Sequence, residues 1–243
     1  MSTTSTDLLL VFSELGQLVS ENEYNDWADN EHIPQRIQLP GFHSCVRLIQ
    51  ADQKEPVWGT IYDIDSLSVL QSEPYLNLFN SQSDREKVLL QNIALLDRRL
   101  YANNEQASIH VKDGFEGLQP GNVVVYVSFD ITPEHEEELH RWYEEEHIDL
   151  LKKVPGWLQS RRYILHDAKV SGKNASQYSK APPPKFMAAH YYESGHMQET
   201  KEWKEATSTP WRTRVMELVG NTERRFFNVY KTFQLCGENV VAK

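Results

Sequence analysis

"YNDWADNEHIPQRIQLPGF" (Tyr24–Phe42) and "LHRWYEEEHIDLLKKVPGW" (Leu139–Trp157) align without a gap at an offset of 115 residues. Trp27 falls on Trp142, Glu31 on Glu146, His32 on His147, Ile33 on Ile148, Pro40 on Pro155 and Gly41 on Gly156. A phrase written twice in one chain marks a repeated structural unit, and the flanking sequence agrees. Residues 8–12 (LLLVF) and 123–129 (VVVYVSF) are short aliphatic and β-branched runs that predict strands. Each leads into a helix start. Ser20 with Glu23 is a capping box, and Thr132 with Pro133 is an N-cap followed by proline at the first helical position. Pro34 and the two Pro-Gly pairs predict the end of each helix and a turn. Strands follow at 42–49 and 157–165, and at 57–64 and 185–192. Helical residues are expected near 66–79 and 84–93, and near 194–206 and 210–219. Last strands lie at 95–101 and 225–233.

Each half therefore reads βαββαβ, the split β-α-β pattern of ferredoxin-like units. Four antiparallel strands with helices on one face leave the other face apolar and in need of cover. Two such sheets facing each other solve this, so the repeat predicts an internal pseudo-dimer. The boundaries are 1–105 for the first unit, 106–120 for a linker and 121–243 for the second unit. Residues 167–184 (DAKVSGKNASQYSKAPPP) have no counterpart in the first half and shift the offset from 115 to 128. This polar insertion is expected to be irregular, a lid or a disordered loop.

The chain has 243 residues, 40% hydrophobic and 25% charged, with a net charge of −10. Acid runs such as Glu144-Glu145-Glu146 oppose phosphate binding, so neither nucleic acid nor an anionic membrane is an expected partner. No apolar run approaches the roughly 20 residues of a membrane span, and "MSTTSTD" has no secretory pattern. Cys45 and Cys236 offer no zinc spacing and are expected to be reduced thiols of a cytoplasmic protein.

The phrase Trp27…Asn30-Glu31-His32-Ile33-Pro34…Pro40-Gly41-Phe42, with its second copy, resembles the EthD-type branch of the dimeric α+β barrel superfamily. It is most similar to the tandem forms found in fungi. The resemblance implies an α+β fold: two tandem ferredoxin-like βαββαβ units forming an intramolecular dimeric α+β barrel, with a cavity between sheet and helices in each half. It also implies a range of activities, among them cofactor-free monooxygenases, polyketide cyclases, dehydratases, lactone isomerases and haem enzymes. Fold does not choose among these. The second copy departs at Asp149, where the first has Pro34, and at Glu145, where it has Asn30.

On an ideal helix Tyr24, Trp27, Ala28 and Glu31 share one stripe, while Asn25, Asp29 and His32 share the next. His140, Glu144 and His147 occupy the latter positions in the second copy. A carboxylate three residues before each histidine is expected to orient it as a general acid/base. The plainer reading is a solvated histidine at a helix C-terminus, favoured by the dipole. Strand alternation places Trp58, Thr60, Tyr62 and Ile64 on one face, and Phe186, Ala188, His190 and Tyr192 on its equivalent. The candidate catalytic residues are thus His32, Tyr62, His147 and His190. Tyr24, Trp27, Trp58, Trp142, Phe186 and Tyr192 are candidate substrate contacts. His140, Glu144 and His147 form only a partial ligand set, so no metal and no cofactor is expected. Arg47 and Arg162 fall on the second strand of each unit, an expected sheet edge where an outward arginine discourages pairing. No phosphate loop, nucleophile elbow or Cys-His pair is present. The expectation is a monomer that acts on a small aromatic or polyketide-like molecule by proton transfer, as a dehydratase, decarboxylase, cyclase or isomerase. A cofactor-free monooxygenase of a phenol and a non-catalytic binding or stress protein remain open.

Overall fold

The computed structural model describes residues 6–178, 181–236 and 239–243, without the side chains of Cys236 and Asn239. The first half runs β1 (Asp7–Glu14), α1 (Glu21–Trp27), α2 (Ile33–Ile37), β2 (Phe42–Gln50), β3 (Trp58–Ile64), α3 (Glu73–Asn80), α4 (Asp84–Asn92) and β4 (Leu95–Asn103). A two-residue strand, β5 (His110–Val111), lies in the connector. The second half runs β6 (Val123–Ile131), α5 (Glu136–Trp142), α6 (Ile148–Leu151), β7 (Trp157–Ser171), α7 (Ala175–Tyr178), β8 (Phe186–Tyr192), α8 (Lys201–Ala206), α9 (Pro210–Leu218), β9 (Val219–Cys236) and β10 (Asn239–Ala242).

Within each half the strand order is the same: β2-β3-β1-β4 and β7-β8-β6-β9. The two sheets do more than face each other. They join edge to edge, β2 with β9 and β4 with β7, so eight antiparallel strands close into a barrel. Closure removes the edges on which the arginine argument rested, since β2 and β7 each have two neighbours. Alternation then sorts the side chains. Leu8, Leu10, Phe12, Tyr126, Tyr163 and Phe227 fill the barrel interior. Opposite faces of the same strands pack against the helices in two separate clusters, one per half.

Ser20 caps α1 as the sequence suggests, with Glu23 N donating to Ser20 Oγ at 3.2 Å, whereas the Thr132 side chain makes no cap bond and leads into a 3₁₀ turn, Pro133–His135, before α5. Pro34 does not end the first helix. Between α1 and α2 the chain makes a π turn, Ala28–His32, and then continues through Pro34. The second copy has the same π turn, Tyr143–His147, with Asp149 in place of the proline. Proline is therefore not its cause. The extra residue in the turn rotates the histidine off the predicted stripe and onto the tryptophan five residues earlier.

The insertion also differs from expectation. Asp167–Ser171 are the outer end of β7, and β4 pairs with this end from Leu100↔Asp167 to Leu96↔Ser171. Residues 179–180 of the insertion lie outside the described residues. At Gly172 the chain turns with φ +114°, and Lys173 N and Asn174 N donate to Ile93 O and Ala94 O. A Cβ at Gly172 would lie 2.6 Å from Ala94 O, so backbone, not a movable side chain, excludes it. Gly172→Ala is expected to cost about 2–4 kcal/mol in urea unfolding, from the left-handed backbone plus overpacking. Gly114→Ala, with φ +77° and nothing within 4 Å, should cost only the backbone part, about 1–2 kcal/mol.

Candidate active site

A cavity of about 320 Å³ lies between the outer face of the first sheet and its helices. It falls in the range of sites that hold drug-sized ligands. Its walls include Tyr24, Trp27, Tyr75, Leu90 and Leu96, and its polar groups include His32, Arg36, Tyr62 and Glu86. The end of β7 closes one side with Lys169, Ser171 and Gly172, so the second half's insertion completes the first half's cavity.

The π turn sets the histidine. His32 packs on Trp27 with ring centroids 4.2 Å apart, and its Nδ1 lies 2.8 Å from Glu86 Oε1. Glu86 sits at the third position of α4, where its own N–H donates to the Ser83 cap. Arg36 Nη1 donates to His32 O at 2.9 Å, and Arg36 Nη2 lies 3.5 Å from Glu86 Oε1. Burial works to raise the Glu86 carboxyl, but His32 and Arg36 together hold it below its ordinary range. An anionic carboxylate only accepts, so His32 Nδ1 carries the proton and Nε2 carries the lone pair. Burial, and then Arg36, outweigh Glu86 and bring the His32 pKa down to about 4. The ring is neutral at pH 7. Tyr62 OH and Trp27 Nε1 are buried without a hydrogen-bond partner, and both residues line the cavity. Burial first, then the neighbouring Cys45, raises the Tyr62 hydroxyl well above its ordinary pKa, so it is a donor. Cys45 is free and buried, with its thiol also raised by burial.

The equivalent space in the second half is about 60 Å³. Equivalent positions explain the loss. Ser13 pairs with Trp58 where Phe129 pairs with Phe186, and Ala28 of the repeated phrase is Tyr143. Two small residues have become two aromatic ones, and both aromatics line the reduced space. Polarity changes as well. Arg212 occupies the α9 position that Glu86 holds in α4, three residues after a capping hydroxyl in each case. Leu151 replaces Arg36. His147 stacks on Trp142 at 4.2 Å and lies 6.2 Å from the His190 ring, with no carboxylate partner for its Nδ1. Burial, then His190 and Arg212, hold His147 well below its usual pKa. Burial, then Arg162, brings His190 to about 3. Trp157 Nε1 donates to Ser160 Oγ at 3.0 Å, and the same hydroxyl oxygen lies 2.9 Å from His190 Nδ1.

The structure thus brings His32 and Tyr62 to one cavity with Tyr24 and Trp27, and His147 and His190 to the other with Trp142. Trp58 lies in the core against Tyr230, and Tyr192 lies against Trp203. Phe186 borders a separate, near-closed gap beside His140 and Arg162. Asp29 and Glu144 do not orient the histidines. Asp29 pairs with Arg47 at 2.6 Å and Lys231 at 2.9 Å, and Glu144 pairs with Arg162. Both arginines point toward the helices. Arg47 is fully buried among Tyr24, Trp58 and Tyr230. His140 faces Arg162, so His140, Glu144 and His147 do not converge on a point. Sequence reasoning missed Glu86 and Arg36. The only available signal was the Ser83-x-x-Glu86 capping pattern, which reads as a helix start.

No protein-family model and no curated protein sequence matches the chain. Among solved structures it is similar to an anthrone oxidase-like protein, at 14% identity, TM-score 0.66, over 98% of this chain and 96% of that one. It is also similar to a candidate monooxygenase from Fusobacterium nucleatum, at 12% identity and TM-score 0.58, over 95% and 94%. A third such protein, from Lactobacillus acidophilus, shares 9% identity and a TM-score of 0.54 over 92% and 93%. These likenesses show the dimeric α+β barrel fold across the whole chain. No helix among the described residues is long and apolar enough to cross a membrane.

The depressed His32 pKa has a consequence for stability. An unfolded histidine takes up its proton near pH 6.5, whereas the folded one resists until about pH 4. Stability present above pH 6.5 is therefore lost as pH falls through that window. His32→Gln should flatten the acid limb of the stability curve by up to roughly 3 kcal/mol. Urea midpoints measured from pH 7 to pH 4 on both chains check this.

Proposed function

We propose that the first cavity is an active site in which His32 removes a proton from carbon next to a carbonyl of a small aromatic or polyketide-like molecule. The single observation that carries this reading is the His32–Glu86 pair, which leaves a lone pair on Nε2 of a histidine that lines a ligand-sized cavity. The sequence of events follows from the groups present. Nε2 accepts the proton. Glu86 stabilises the imidazolium through Nδ1–H, and Arg36 keeps Glu86 ionised. Negative charge grows on the substrate oxygen beside the cavity walls formed by Tyr62 and Trp27. A base with a pKa of about 4 needs an activated C–H, one flanked by a carbonyl and an aromatic ring.

The resulting enolate is shared by dehydration, decarboxylation, cyclisation and isomerisation. It is also the species that a cofactor-free oxygenase exposes to oxygen. The anthrone oxidase-like and monooxygenase-type neighbours favour keeping that second outcome. The repeated Trp…Glu-His…Pro-Gly phrase supports placement among tandem EthD-type proteins. We read the second half as a supporting unit, since Phe129, Tyr143 and Arg212 fill or repel what the first half leaves open.

Solvent deuterium exchange into 2-tetralone, followed by NMR, tests the proton transfer without knowledge of the natural substrate. His32→Ala should slow exchange by roughly 10²–10⁴ with the fold retained. Glu86→Gln should fall between, and His147→Ala should change little. Unchanged exchange in His32→Ala would falsify the catalytic reading and leave a binding protein. Oxygen uptake coupled to exchange would select the oxygenase outcome.

A further inference from the structure

Arg98 of β4 and Lys169 of β7 stand directly opposite each other across the seam between the two halves. Like charges placed so destabilise a sheet unless something lies between them. Both side chains line the first cavity. The carboxylates around them are committed elsewhere: Asp97 and Glu223 hold Arg99, Asp63 holds Arg161, and Glu86 holds His32 and Arg36. Among the described residues no carboxylate lies within 4.0 Å of either cation. The cavity therefore carries three cations, Arg36, Arg98 and Lys169, against the single anion Glu86, in a chain of net charge −10.

This pair is confined to the open cavity. Arg224, the equivalent of Arg98, lies over the Phe226 ring at 5.2 Å beside the filled space of the second half. Lys169 sits on the paired extension of β7, whereas Lys54, its counterpart at the 115-residue offset, lies beyond the end of β2, with its Nζ 3.5 Å from Arg224 O and away from the reduced space of the second half. The extension is anchored by backbone hydrogen bonds to β4 and by the Gly172 turn, which fix the Lys169 backbone opposite Arg98.

We propose that Arg98 and Lys169 form an anion subsite that takes a carboxylate carried by an aromatic ligand, with the rings against Trp27, Tyr24 and Tyr75. Arginine offers the carboxylate a two-pronged donor and lysine a point charge. The subsite rests on the reading of the first cavity as the ligand site. It adds that the substrate class is an aromatic acid, bound from the sheet seam across to the histidine on the helix side.

Titration calorimetry with 2-naphthoate and 2-naphthamide separates charge from ring. The acid is expected to bind the unmodified chain at least tenfold tighter than the amide, and the difference should shrink with added salt. Arg98→Gln and Lys169→Gln should each weaken the acid by roughly tenfold, the usual scale for one charge-assisted hydrogen bond, and leave the amide within about twofold. Lys169→Glu should remove the preference for the acid. All three variants are checked for unchanged melting, and Lys169 is exposed, so at least that pair of variants should fold. An acid that binds no tighter than its amide, or not at all, overturns the proposal, as does wild-type binding of the acid by Lys169→Glu. The catalytic reading fails separately: a chain that binds the acid selectively but exchanges no proton from 2-tetralone loses the enzyme assignment and keeps the subsite.

Discussion

Every strand of the barrel has two neighbours, and most of the molecule follows from that constraint. A four-stranded ferredoxin-like sheet leaves two rows of unpaired backbone groups. Here β2 takes β9 and β4 takes β7, so each half satisfies the edges of the other. The closed ring of eight has an interior just wide enough for side chains to fill. Phe12, Tyr126, Tyr163 and Phe227 fill it. A ligand therefore has no room inside. The larger of the two equivalent spaces between strands and helices lies on the outer face of the first half, where the size of a few side chains decides whether a cavity exists.

Those few side chains divide the two halves. The repeat preserves what holds each unit together: the tryptophan–histidine stack, the π turn and the Pro-Gly turn after it. It does not preserve what surrounds the histidine. Ser13 and Ala28 leave volume that Phe129 and Tyr143 occupy. Glu86 gives its histidine a carboxylate, whereas Arg212 gives His147 a like charge in waiting. Retention of the Glu-His phrase in both copies is thus a packing signal first. The first half surrounds it with a cavity through residues outside the phrase.

Much of the fold was legible because it rests on periodicity. Alternation in Trp58–Ile64 and Phe186–Tyr192 gave the helix-facing sides correctly, and the Ser20 capping box located the start of α1. Barrel closure came with the resemblance to dimeric α+β barrels and not from the residues themselves, because which edge strands pair across the halves is a long-range property with no local pattern. The edge reading of Arg47 and Arg162 failed for that reason. At the candidate site, the sequence proposed His32 and Tyr62, which share one cavity, but not the partner of His32. The stripe argument assumed 3.6 residues per turn, and a single π turn moved the histidine away from Asp29 and toward Glu86. Glu86 itself looks like an ordinary capping-box glutamate in the sequence.

The insertion shows how far the two copies have come to depend on each other. Length and polarity suggested a loose loop, yet its first residues extend β7 along β4 and wall the first cavity. The second half has lost most of its own cavity to aromatic side chains and has gained the strand that finishes its neighbour's. A symmetric dimer of identical chains could not divide labour this way, since any residue that filled one cavity would fill both. Covalent duplication removes that restriction. It lets Phe129, Tyr143 and Arg212 fill one side while Ser13, Ala28 and Glu86 leave the other open, and it lets a lysine from one unit line a cavity whose histidine belongs to the other.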